Sequence, residues 1–408
     1  MNIKKYYLFK LLYDLMPIYP IYILLFQSKN MTMNQISLLL IIWSAAAVIM
    51  EVPTGLMADH WNRRNLLVIG AVLKACGYIS WIISNGFILY ALGFILWGIG
   101  GAMQSGSEEA LLFDMLKADG REDRFDQILG RGHFLSGIGN ILAALTGGII
   151  GERFGFRTAL YLSVLFSLFA AGIVAGCREV NLFKQHREKQ RNKAEKGTLR
   201  NSFVFLLKNR ELFLLSLLVL FTITTAGALD EYDQLIAKEY GLTVKWIGIW
   251  AAVRFILISL GGYLARGVRI GTERLLHTKD RMYTVSFLCS VAAVLLVLSG
   301  AVKQIGIMSL YGLYYLIMSV CDVLQEDYLQ QQISTQGRAT IHSLFSLTQN
   351  LYGMLCYMLI SFTAVKAGLL TGLIWIGAYI IICCMVILLL YKRCRKVRKN
   401  ELSCRASR

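Results

Sequence analysis

Residues 51–64 read Glu51-Val52-Pro53-Thr54-Gly55-Leu56-Met57-Ala58-Asp59-His60-Trp61-Asn62-Arg63-Arg64. An apolar run at 36–58 leads into this stretch and a second, at 65–84, leaves it. Each is long enough to cross a bilayer, which takes about 20 residues of helix. The short charged segment between them is therefore a loop at the membrane surface. Gly55 lets two helices approach closely and lets the chain turn. Asp59 offers a negative charge to the positive N-terminus of a helix. Arg63 and Arg64 anchor the loop on the cytoplasmic side and can pair with carboxylates. A tight charged loop of this kind can lock two helix bundles together and release them.

Outward from this loop the pattern repeats. Apolar segments at 6–27, 36–58, 65–84, 87–116, 126–150, 156–176, 211–238, 245–266, 282–301, 304–332, 338–363 and 367–391 predict twelve transmembrane helices. The composition agrees: 56% of the 408 residues are hydrophobic and only 16% are charged, against about 25% charged in soluble domains. The expected fold is all-α, a polytopic membrane protein with two pseudo-symmetric six-helix bundles around a central cavity. The longest hydrophilic stretch divides it into an N-terminal bundle at 1–176, a basic linker at 177–210, a C-terminal bundle at 211–391 and a basic tail at 392–408. A faint internal repeat accords with this division: Ser107-Glu108-Glu109-Ala110-Leu111 matches Gln325-Glu326-Asp327-Tyr328-Leu329, each in the fourth helix of its half.

Lys and Arg occupy alternate loops. Arg63 and Arg64, then Lys117, Arg121 and Arg124, the linker, Arg266 to Arg281 and the tail carry most of them. The positive-inside rule places both termini in the cytoplasm. It also accounts for the net charge of +17, which would face anionic lipid headgroups. No basic stripe is interleaved with aromatics, so no nucleic-acid partner is expected. The nine cysteines lie mostly in apolar runs without a CxxC pair, as packing residues rather than a disulfide framework or metal site. Lys4 and Lys5 precede an apolar run, but Asp14, Pro17 and Pro20 lie within it and no small-residue cleavage site follows. That run is an uncleaved first helix.

The segment Gly55 to Arg64 resembles the loop signature of the major facilitator superfamily, G-x-x-x-D-R-x-G-R-[KR]. The resemblance implies a conformational latch of Gly55, Asp59, Arg63 and Arg64, with Asp114 as the partner on helix four. Here His60 stands for the first Arg and Asn62 for the second Gly, and Asn tolerates a left-handed backbone. The small-residue run Gly137 to Gly151 in helix five resembles the antiporter signature of the same family, with Ala143-Ala144 where Gly-Pro is expected. It reads equally as ordinary close packing, matched by Gly248, Ala251, Ala252, Ser259 and Gly262 of helix eight. Trp97 stands where a third signature expects an Arg on helix four.

Ionisable residues inside spans cost about 2.5–3.5 kcal/mol each and usually face a cavity or a partner. Asp14, Lys74, Glu108, Arg254 and Asp322 lie deep, and Glu231 lies towards the outer end of helix seven. Asp14, Glu108, Glu231, Arg254 and Asp322 are the candidate coupling or substrate-cavity residues; structural pairing is the competing reading. Pro17 and Pro20 should kink helix one. Tyr13, Tyr19, Tyr22, Trp43, Trp250, Tyr311, Tyr314 and Tyr315 are available to an amphipathic pocket, or to packing and the membrane interface.

The expected function is secondary-active transport of a small molecule by alternating access, as proton-coupled efflux of amphipathic or cationic compounds across the cell membrane. The protein would act as a monomer in the lipid bilayer, with H+ as coupling ion and neither cofactor nor metal. Uptake of a nutrient or siderophore by symport is the alternative. A membrane-embedded enzyme is disfavoured, because no HExxH and no clustered Cys/His set occurs.

Overall fold

A computed structural model describes residues 3–84, 86–105, 107–180, 209–332 and 338–406, of which 59–60, 330–332, 338–344 and 397–406 are described by backbone alone. All regular structure among the described residues is helical. Twelve long elements follow in order: α1 Ile3–Ser28, α2 Met33–His60, α3 Arg63–Ile82, α4 Phe87–Ala118, α5 Phe125–Phe154, α6 Phe156–Ala175, α7 Arg210–Glu231, α8 Val244–Leu275, α9 Arg281–Ala301, α10 Met308–Gln332, α11 Arg338–Ala367 and α12 Leu369–Ala406. Among the described residues eleven helices are long and apolar enough to cross a membrane. The exception among the expected twelve is α11, where Thr348, Gln349 and Asn350 dilute the apolar run. The helices α8 and α12 continue beyond the apolar stretches at 245–266 and 367–391, because Arg, Lys and Leu remain good helix formers past the lipid boundary.

Local chemistry sets the ends. Thr32 and Gln35 form a capping box on α2, the Gln35 N–H donating to Thr32 Oγ1 and the Thr32 N–H to Gln35 Oε1. The turns from α5 to α6 and from α11 to α12 are single glycines, Gly155 and Gly368, at φ +82° and +87°. Both need a backbone conformation that a side chain would strain.

Three spans are not continuous, and α1 is broken rather than merely kinked. It is helical over Ile3–Asp14, makes a 3₁₀ turn at Tyr19–Ile21 and resumes as Tyr22–Ser28. Pro17 and Pro20 lack N–H groups, and the Ile18 N–H turns to Ser163 Oγ of α6 at 3.1 Å. The break in α4 falls between Phe87–Gln104 and Ser107–Ala118. In α7 a widened π turn at Leu220–Thr224 interrupts the span, and a short helix Asp233–Glu239 follows it.

The chain divides into two compact units, 1–193 with 241–255, and 194–240 with 256–408. The linker residues 181–208 lie outside the described residues. In the first unit α3 and α4 cross on paired glycines. A Cβ on Gly70 would stand 2.8 Å from the Gly100 carbonyl oxygen, and one on Gly77 2.8 Å from that of Gly93. The small-residue face of α5 receives α1, with Gly139 against the Leu11 carbonyl and Gly147 against that of Pro17. The same helix meets the first turns of α8 through Gly148 and Gly248, beside Ala144, Ala251 and Ala252. In the second unit Leu215, Val285, Cys289, Cys321, Ile380 and Cys384 share one core.

A side chain at Gly147 has no room beside the broken part of α1. The variant Gly147→Val should lose about 1–3 kcal/mol by overpacking and melt earlier in detergent. Gly137→Ala, on the same helix with nothing within 4 Å of the added carbon, should melt like the parent. Equal melting of all three proteins would contradict this seating of α1.

Candidate functional site

The loop between α2 and α3 is held by its arginines. Arg63, the first residue of α3, is buried and places Nη1 2.5 Å from Asp114 Oδ2 of α4. The same nitrogen donates to the Ala110 carbonyl at 3.0 Å, and Nε donates to that of Ala58 at 3.4 Å. A residue that sequence reading passed over completes the arrangement. Glu179, just after α6, accepts the backbone N–H groups of Arg63 and Arg64 at 3.0 and 2.8 Å. Its two oxygens satisfy the orphan donors that open α3 and place a negative charge at that helix's positive end. In the sequence Glu179 is a lone acid beside a basic run, which gives little signal. Arg64 Nη1 donates to the Cys177 carbonyl at 3.2 Å.

Two expectations for this loop change. Gly55 lies inside the unbroken α2, and a Cβ there would meet nothing within 4 Å, so no close approach or turn depends on it. Asn62 has φ −80°, an extended backbone that needs no left-handed tolerance. The side chains of Asp59 and His60 lie outside the described residues.

The second grouping surrounds the breaks in α1 and α4. Glu108 stands in the first turn of the lower α4 segment, where the helix end favours an anion. It accepts from Lys10 Nζ at 2.9 Å, Tyr6 OH at 3.3 Å and Gln104 Nε2 at 2.8 Å. Lys10 and Glu108 are each only 8% exposed. The sequence does hold a signal for Lys10, one helical turn before Asp14 on the same face. Asp14 ends the first α1 segment and accepts from Ser136 Oγ of α5. Lys74 of α3, 4% exposed, donates to the Tyr13 carbonyl at 3.2 Å and lies 3.8 Å from the centre of the Tyr13 ring. A lysine there satisfies a carbonyl left free where α1 stops, at the end of the helix that favours a cation.

Above this cluster stands an aromatic wall centred on Trp97 of α4. Six rings lie within 6.2 Å of it: Tyr19, Tyr22, Trp43, Tyr78, Trp81 and Phe94. Trp43 and Trp97 are stacked at 5.7 Å and 29°. Tyr19, Trp43 and Trp97 are half-exposed, while the rings behind them are buried.

In the second unit a pocket of about 160 Å³ is lined by Thr225, Tyr352, Cys356, Thr363, Trp375 and Tyr379, among others. Tyr352 OH lies 2.7 Å from Tyr379 OH and 3.2 Å from Thr225 Oγ1. Of the remaining candidates, Glu231 is half-buried at the end of α7, Arg254 is buried on α8, and Asp322 is exposed on α10. Tyr311, Tyr314 and Tyr315 form a buried cluster, with the Tyr311 and Tyr315 hydroxyls 3.0 Å apart.

Long apolar helices, two of them interrupted where buried charges collect, define a multi-pass membrane protein. The sequence pattern of the Major Facilitator Superfamily matches residues 9–357, and the chain belongs to that superfamily. It is a multi-pass membrane transporter and not an enzyme. An uncharacterized transporter of Buchnera aphidicola subsp. Schizaphis graminum (strain Sg) is 26% identical over 133 residues, which is 33% of this chain and 32% of that protein. The uncharacterized MFS-type transporter YxaM of Bacillus subtilis (strain 168) is 21% identical over 60% of this chain and 59% of its own length. The chain thus spans less than two thirds of the length of both these relatives. Among solved structures, the nucleoside transporter NupG superposes with a TM-score of 0.74 at 14% identity, covering 96% of this chain and 100% of the other. A bacterial homolog of the human lysosomal transporter Spinster gives 0.71 at 15% identity, covering 96% of each chain. At these identities the likeness establishes the fold.

Breaking the buried pair from one side should be costly. Asp114→Asn leaves the Arg63 guanidinium without its carboxylate and should cost about 3–5 kcal/mol, whereas the apolar double replacement Arg63→Met with Asp114→Leu should recover most of that. Glu179→Gln keeps an acceptor at the helix start and should cost only about 1 kcal/mol. Denaturant unfolding of the three variants reads the order, and an Asp114→Asn protein as stable as the parent would contradict it.

Proposed function

We propose that the chain is a proton-coupled secondary transporter of amphipathic small molecules that works by alternating access. The observation that carries this reading is the placing of Lys10, Asp14, Lys74 and Glu108 inside the spans, at the breaks in α1 and α4. Each such charge costs about 2.5–3.5 kcal/mol to insert, and apolar residues would hold helices together at lower cost. On this reading the coupling proton is carried by a carboxylate at these breaks, beside a partner from a neighbouring helix. Asp14 and Glu108 are the groups for that role. Arg254, Glu231 and Asp322 belong to the same proposal as further cavity charges.

The Arg63–Asp114 pair, with Arg64 beside it and Gly55 and Asp59 on the last turns of α2, is read as the latch that holds one end state. On this reading residues 1–176 and 211–391 are the two moving halves, joined by 177–210 and followed by the tail 392–408. Both termini face the cytoplasm, the membrane is the plasma membrane, and the protein acts as a monomer. The small-residue run of α5 supports export. Uptake by symport is the other direction, and the same assay decides between them.

Everted membrane vesicles with an acidified lumen, so that protons run outward, should accumulate amphipathic dyes from a panel of cationic, neutral and anionic members. A protonophore should abolish the uptake, and Asp14→Asn or Glu108→Gln should lower it about tenfold or more. Dye uptake that ignores the protonophore would refute proton coupling. No uptake in everted vesicles, with accumulation in right-side-out vesicles, would refute export in favour of symport.

A further inference from the structure

Lys74 does more than close the end of a helix. Its ammonium has three donors, and one is used, on the Tyr13 carbonyl. It takes part in no ion pair among the described residues: Glu108 is engaged by Lys10, and Asp14 is held by Ser136. A cation so deeply buried normally has a carboxylate against it. Asp14 acts on it through space without forming an ion pair, and the groups placed directly against it are rings, Tyr13 at 3.8 Å and Trp97 at 6.0 Å. Trp97 in turn belongs to the half-exposed face it shares with Trp43 and Tyr19.

These features fit the two parts of one kind of ligand. A flat ring stacks on the indoles, where offset or edge-to-face contact is favourable. An acidic group on that ring, one ring-width away, reaches the ammonium and takes the donors that the protein leaves unused. Trp97 also bears on the sign of the charge, since it puts a neutral ring surface on α4 and leaves Lys74 on α3 as the cation beside that surface.

We infer that Lys74, Trp97 and Trp43 form the substrate subsite for a planar aromatic anion, with Lys74 binding its carboxylate or equivalent acid group. This narrows the amphipathic class and rests on the reading that the first unit's charged cluster belongs to the transport site. Lys74 is a specificity residue here, and Trp97 and Trp43 supply affinity without regard to charge.

The test uses the full-length protein in nanodiscs, titrated calorimetrically with 2-naphthoate, 2-naphthamide and 2-naphthylmethylammonium, with empty nanodiscs subtracted. Naphthoate should bind about tenfold or more tightly than the other two, the margin of one charge-assisted hydrogen bond. Lys74→Met should erase that margin, so that the variant binds naphthoate no more tightly than naphthamide, and Trp97→Ala should weaken all three ligands. Should Lys74→Met fail to give a monodisperse protein, the parent's order of affinities and Lys74→Arg, which keeps the charge and should keep the margin, decide the matter. Equal binding of the three ligands, no binding of any, or a naphthoate margin that survives Lys74→Met overturns the inference. Proton-driven dye transport with no naphthoate margin would sink the substrate class and leave the transporter reading in place.

Discussion

Lipid offers no hydrogen bonds, so every backbone group that leaves a helix inside the membrane must find its partner in the protein. This constraint organises the first unit. Where α1 stops, the Tyr13 carbonyl accepts a hydrogen bond from Lys74 and the Ile18 N–H donates one to Ser163 Oγ. Pro17 and Pro20 have no N–H and so need no acceptor. The helix α5 can lie against the exposed backbone only because Gly139 and Gly147 have no side chains there. Once such a polar seam exists, charged side chains can be kept beside it at lower cost than elsewhere in the span. Lys10, Asp14, Lys74 and Glu108 all lie along it, and the break in α4 adds the helix end on which Glu108 sits.

The two units, each taken by itself, repeat one device at the start of the third helix of the half. Arg63 opens α3 and pairs with Asp114 of α4, while Arg281 opens α9 and lies 2.7 Å from Asp327 of α10. The segment after the sixth helix returns to the same place in each case. Glu179 covers the first N–H groups of α3. Beyond the lipid-crossing part of α12, Arg395 reaches Asp280, the residue that caps α9. The stretch Gly261 to Arg266 has no acid of its own. In this half the acids are supplied by Asp327 and Asp280, on neighbouring elements.

Fold class was legible because it depends on long-range averages. Runs such as 87–116 and 367–391 stay apolar whatever their exact neighbours. The site was legible where the resemblance of residues 55–64 to the family's loop implied a partner on helix four, as with Arg63 and Asp114, which stand 51 positions apart. Lys10 is visible as a turn-spaced neighbour of Asp14, but its bond to Glu108 joins residues 98 positions apart in the chain, and nothing local announces that. Lys74 reads in the sequence as a neutralising partner for a buried acid, and its bond to a carbonyl follows from where α1 breaks. Gly55 carries the family's spacing but stands in open space on a continuous helix. The gathering of six rings around Trp97 draws on α1, α2, α3 and α4 at once, so no single stretch of sequence displays it.

If the seam at the α1 break is the working part of the transporter, its backbone must open and close while its neighbours do not. Hydrogen–deuterium exchange of the protein in nanodiscs, followed by peptides covering Tyr13–Leu24 and Arg63–Ile82, measures that directly. The account predicts exchange across Leu15–Ile21 within minutes, slowed when a transported compound is bound, with α3 protected throughout. Equal and ligand-independent protection of both segments would contradict it.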